Sequence, residues 1–103
     1  MHEASIPPAA QRDPESREML RAWIAEQGLH CTIHVGMWEG QKSNIREERA
    51  WGILLSDVVR HIANAIHERY GDPAERTKAE LVKAMLQELE VPSSEARGEF
   101  LNQ

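Results

Sequence analysis

From residue 13 to residue 27 the apolar positions return at three- and four-residue steps, so Met19, Leu20, Trp23 and Ile24 share one helical face. Asp13 suits the N-cap, Pro14 suits the first helical position, and Gly28 tolerates the left-handed conformation just past a last turn. The spacing predicts a helix over 13–27. Over 29–38 the period changes to two. Leu29, Cys31, Ile33, Val35 and Met37 fall on one side, with His30, Thr32, His34, Gly36 and Trp38 on the other, which predicts a strand with one face on a core. Residues 39–44 are polar, contain Gly40, and read as a loop. Asn44 with Glu47 three residues on has the form of a capping box. The helix it opens carries Trp51, Leu54, Leu55, Val58, Val59, Ile62, Ala65 and Ile66 and runs to Tyr70-Gly71. Gly52, Ile53 and Ala63 widen that stripe, which predicts a central helix packed on two sides. Asp72-Pro73-Ala74-Glu75 starts a third helix, lined by Leu81, Val82, Met85, Leu86 and Leu89 and stopped by Pro92. The tight Gly71-Asp72 link predicts that these two helices fold back as a hairpin.

The expected fold class is therefore α+β, in the order helix, strand, helix, helix. Residues 13–91 form the single domain, between a flexible N-terminal segment (1–12) and a flexible C-terminal tail (92–103). One strand alone is not a sheet, because its amides and carbonyls go unpaired. Ser5-Ile6, cut short by Pro7-Pro8, and the polar stretch 42–45 are poor partners. The economical expectation is a homodimer that completes a small antiparallel sheet through strand 29–38, with Thr32, His34 and Trp38 at the interface.

Composition narrows the classes of function. With 12 Lys+Arg against 17 Asp+Glu the formal charge is −5, a poor match for a phosphate backbone, so no nucleic-acid partner is expected. The longest apolar run, around Trp51–Leu55, falls far short of the roughly 18 residues a membrane span needs. The first five residues show neither a basic start nor an apolar run, and a single cysteine, Cys31, excludes an intrachain disulfide. Together these predict a cytoplasmic protein that touches no membrane.

Candidate chemistry is sparse. His30 and His34 lie about 13 Å apart along a strand, too far to share one metal within a chain. Paired antiparallel across a dimer about Thr32, each would face the other copy's second histidine, with Cβ atoms about 5 Å apart. Read plainly, they are two polar residues on an outer strand face. Cys31 points away from both and sits among Leu29, Ile33 and Val35 as a small hydrophobe, with no base at hand. Asp57 and His61, one turn apart on the second helix, are either a hydrogen-bonded pair at a core boundary or part of a ligand pocket with His30 or His34. Trp23 and Trp51 fit helix faces, while Trp38 ends the outer strand face. No phosphate loop, HExxH, CxxC or nucleophile elbow occurs, so neither a catalytic residue nor a cofactor or resident metal is expected.

The words Ala50-Trp51-Gly52-Ile53-Leu54-Leu55-Ser56-Asp57 and Arg60-His61-Ile62-Ala63, with the strand 29–36, resemble a small bacterial domain-of-unknown-function family over about the first 70 residues. That resemblance implies a small cytoplasmic bacterial protein and brings no site residues with it. The expected function is a homodimeric interaction or adaptor module without catalytic activity, engaging a protein or small-molecule partner. The alternative is a small-molecule or metal-binding protein with a cleft between strand and central helix.

Overall fold

The computed structural model describes residues 1–38 and 44–102. The elements are α1 (Pro8–Arg12), β1 (Leu20–Ala25), β2 (Gly28–Val35), α2 (Glu47–Tyr70), α3 (Ala74–Glu90) and β3 (Ala96–Asn102). The three strands form one sheet in the order β1-β2-β3. β1 runs antiparallel to β2 and β3 parallel to it. The α+β class holds, but two of its parts differ from the sequence expectation.

The helix expected over 13–27 is a turn followed by a strand. Asp13 accepts a hydrogen bond from the Glu15 amide (2.9 Å) and so closes a local turn, not a long helix. Leu20, Ala22 and Ile24 alternate with Arg21, Trp23 and Ala25, so the same residues that recur at helical steps also satisfy a period of two. Tertiary pairing decides between them: Leu20 lies opposite Ile33 and Ala25 opposite Gly28. The connection is Glu26-Gln27 with φ of 50° and 64°, the sign pattern of a two-residue type I′ hairpin. Gly28, expected to close a helix, instead opens β2.

The second difference is at the other end of the chain. Residues 96–102, expected to lie in a flexible tail, form β3 and pair with β2 from Leu29↔Ala96 to Val35↔Asn102. At Gly98 the backbone has φ of 137°, and a Cβ there would fall inside the Cys31 carbonyl. Only glycine lets the two strands approach so closely. β2 is thus the central strand with both edges occupied. Strand 29–38 is not the lone strand that called for a partner, and it has no free edge to give a second copy; the observed strand also ends at Val35.

α2 and α3 form the expected hairpin. Gly71, at φ 81°, ends α2 and its amide donates to the His67 carbonyl (2.8 Å). The expected capping box is absent: Arg46 occupies the N-cap of α2 without a side-chain bond, and the Glu47 carboxylate turns elsewhere. α3 likewise has Pro73, not Asp72, at its N-cap. Among the described residues the buried hydrophobics are Ala50, Val59 and Ala63, all on α2. The wider stripe of α2 is not covered on two sides as expected, since Ile53, Leu55, Val58 and Ile62 remain exposed. The loop expected over 39–44 lies, up to residue 43, outside the described residues.

Candidate functional site

Three places bring functional side chains together: the junction between sheet and hairpin, the polar side of the sheet, and the outer side of α2.

The junction is built on Glu47. Its carboxylate accepts hydrogen bonds from the Gly36 amide (3.0 Å), the Trp38 amide (3.2 Å) and the Trp51 indole Nε1 (3.1 Å). The Gly36 amide, with help from the Trp51 and Trp38 donors, holds this carboxyl below the ordinary glutamate range, against a smaller opposing effect of desolvation. Gly36 has φ of 97°, which turns the chain out of β2 toward that carboxylate. The Trp38 and Trp51 rings meet edge to face at 6.0 Å and 81°. Trp38 therefore packs on Trp51 and is half-buried. Beside it, Trp38, Ile45, Ala50, Leu54, Asp57 and Val58 line an open groove of about 430 Å³.

On the polar side of the sheet the register sets the neighbours. His30 lies between Trp23 and Arg97, and Thr32 between Arg21 and Glu99. The His34 amide donates to the Met19 carbonyl (3.0 Å), and Leu101 flanks His34 on β3. The expected facing of His30 and His34 across paired copies of β2 has no place in this sheet, because β1 and β3 occupy those positions. Arg21 makes a two-pronged contact with Glu18 (2.9 and 3.0 Å) and reaches Glu3 (3.2 Å), tying the N-terminal segment to β1. Glu18 first, and Glu3 more weakly, raise the Arg21 pKa. Between that segment and β1 runs a groove of about 730 Å³, bordered by Ile6, Ala10, Ser16, Arg21 and Trp23.

On α2, Asp57 is exposed and paired with Arg60, three residues on, rather than with His61. His61 is exposed as well and does not line the groove that Asp57 borders. The four candidate ligand residues thus separate into His30 and His34 on the sheet and Asp57 and His61 on the helix. Among the described residues no three His, Cys, Asp or Glu side chains gather into a metal-binding group. Cys31 is half-buried and free.

Sequence reasoning missed Glu47 as an acceptor at the junction. The available signal was a carboxylate four residues before Trp51, at the spacing that lets a helical side chain meet an indole. It also missed the state of the sheet's apolar side. There the register aligns Leu20, Ala22 and Ile24 with Leu29, Cys31 and Ile33, and these with Ala96, Gly98 and Phe100. None is charged, yet Ile24 is 80% and Phe100 76% exposed.

A small α+β chain with a helical hairpin and an uncovered sheet face is what the comparisons with known proteins bear on. Residues 3–93 match the family described as Domain of unknown function (DUF5076), and the chain belongs to that family. Among solved structures it is similar to one described as the "structure of a putative pyruvate dehydrogenase from the photosynthetic bacterium Rhodopseudomonas palustrus CGA009". The TM-score is 0.68 at 22% sequence identity, over 96% of this chain and 94% of that one, a likeness of fold. No curated protein matches the chain. No helix among the described residues is long and apolar enough to cross a membrane.

Proposed function

We propose that this chain is a non-enzymatic interaction module that works as a homodimer in the bacterial cytoplasm. The observation that carries the reading is surface left over after folding. The chain exposes 8969 Å² to solvent, against about 5,900 Å² for a compact monomer of 11.7 kDa. Its radius of gyration is 15.6 Å where about 13 Å is usual for this length. The excess includes large hydrophobics such as Ile24, Leu86, Leu89 and Phe100 standing in water, and exposed apolar surfaces of this kind mark association sites. The dispersal of His30, His34, Asp57 and His61 supports binding over catalysis, since acid–base or metal chemistry needs such groups within hydrogen-bond or ligand distance. A single free cysteine and a structural neighbour from a bacterium support the compartment and the source.

The test is the mass of the full chain in solution by light scattering across a concentration series. The module reading expects twice 11.7 kDa; a particle of single-chain mass at every concentration sinks it.

A second reading is favoured by the groove at the junction, where Trp38 and Asp57 border the same open space beside α2. A small apolar molecule with a basic group fits that lining. A thermal-shift screen in which a compound stabilises the wild type but not Asp57→Ala would support it, and no shift with any compound removes it.

A further inference from the structure

We propose that the apolar side of the sheet is the seat of a second copy of this chain, whose α3 stripe covers it while the reverse contact forms about a two-fold axis. This inference rests on the homodimer reading and specifies the surfaces that make it.

The sheet's two sides differ in kind. One carries Arg21, His30, Thr32, Arg97 and Glu99; the other carries Leu20, Ile24, Leu29, Ile33 and Phe100 with no charge among them. A sheet with one uncharged and predominantly apolar side requires a covering layer of helices or a second sheet. The chain has two helices, but neither packs closely on the sheet: the paired elements are β1 with β2, β2 with β3, and α2 with α3. None of the strand residues whose burial is described is fully buried. β2 is hydrogen-bonded on both edges, while on the apolar side Ile24 and Phe100 stand exposed and Cys31 and Ile33 are only half-buried.

The hairpin has the matching need. Val82, Met85, Leu86 and Leu89 recur at steps of three, one and three along α3, forming one stripe, and all are exposed, Leu86 at 63% and Leu89 at 77%. Each chain therefore displays a bare sheet face and a bare helix stripe, the two layers an α+β core is made from. A two-fold axis lets each copy satisfy both needs with the same pair of surfaces, which is why a second copy is the occupant and not an unrelated protein. Dimensions agree: 17 residues of α3 span about 25 Å, and the eight residues of β2 about 26 Å. Area agrees too. The surplus of about 3,000 Å² over a compact monomer exceeds the roughly 800 Å² per partner of an ordinary stable interface and is enough for the roughly 1,000–2,500 Å² per partner that obligate dimers bury.

The experiment is sedimentation equilibrium on the full chain, comparing wild type with Ile24→Glu, Leu89→Glu and the exposed control His61→Ala. The expected result is a dimer for wild type and control, and association weakened by about 30-fold or more in affinity for each glutamate variant, with unchanged far-UV circular dichroism. Phe100→Glu, on the opposite edge strand of the same face, replaces Ile24→Glu should the latter unfold. A dimer that persists in the sheet variants, or dissociates only with Leu89→Glu, overturns this surface and leaves the homodimer reading standing. A monomeric wild type at all concentrations overturns both.

Discussion

The hairpin and the sheet solve opposite halves of the folding problem. α2 packs on α3 and buries its own Val59 and Ala63, so the hairpin encloses a short stretch of side chains by itself. The sheet satisfies its backbone instead: β2 is paired on both edges from Leu29 to Ile33. Yet Ile24 and Phe100 on its apolar side stay in water. Backbone pairing and apolar burial are separate requirements, and a chain of this size meets the first alone far more readily than the second. The difference teaches that an interface is better sought from an uncovered face than from an unpaired edge.

Substitutions that strike one half and spare the other break or sharpen that contrast. The largest effect is expected at Gly98. Gly98→Ala forces a methyl into the Cys31 carbonyl at a φ that L residues rarely adopt, and should cost about 3 kcal/mol by detaching β3. Hydrogen exchange would show β2 amides on the β3 side losing protection while the α2 amides keep theirs; equal loss in both would mean that the two halves are not separable. Next comes the hairpin seam. Ala63 is 2% exposed, so Ala63→Leu overpacks it by about 2 kcal/mol, read as a lower denaturant midpoint at unchanged slope.

A gain is expected from the β1–β2 turn. Glu26 and Gln27 hold positive φ where Asn-Gly is the preferred pair, so Glu26→Asn with Gln27→Gly should stabilise the protein by about 1 kcal/mol. A neutral or negative effect in thermal melts would show that those side chains contribute more than their backbone strain costs. The smallest effect belongs to the junction. The Glu47 carboxyl titrates below its ordinary range in the fold, so it stabilises the protein above the unfolded-state value and loses that contribution as pH falls through the lowered one. Glu47→Gln should therefore melt lower than wild type at neutral pH and converge with it in acid; a gap that ignores pH contradicts the charge-assisted bonds at Gly36, Trp38 and Trp51.

The helical hairpin was legible in the sequence because its signals are local: a long apolar stripe, Gly71 at the turn, and Pro92 beyond the end. The strand was legible from the Cys31, Ile33, Val35 alternation. Its neighbours were not. Leu20, Trp23 and Ile24 suit a helix and a strand equally, and Glu26-Gln27 lacks the Asn-Gly chemistry that announces a hairpin. β3 was hidden for a different reason, since Ala-Arg-Gly-Glu has little strand propensity and only the glycine's approach to Cys31 makes the pairing possible. Of the candidate site, Trp38 was placed at the end of the strand, but its packing on Trp51 depends on a turn at Gly36 that alternation does not reveal.

Because Leu29 meets Ala96, β2 gains its second neighbour only after both helices have left the ribosome. Until then the growing polypeptide holds a hydrophobic hairpin with one open flank, a template for mispairing between nascent molecules. Such distant contacts also slow folding, so this protein should reach its native state later than its helical content suggests, and any stall in translation ahead of residue 96 would prolong the exposure.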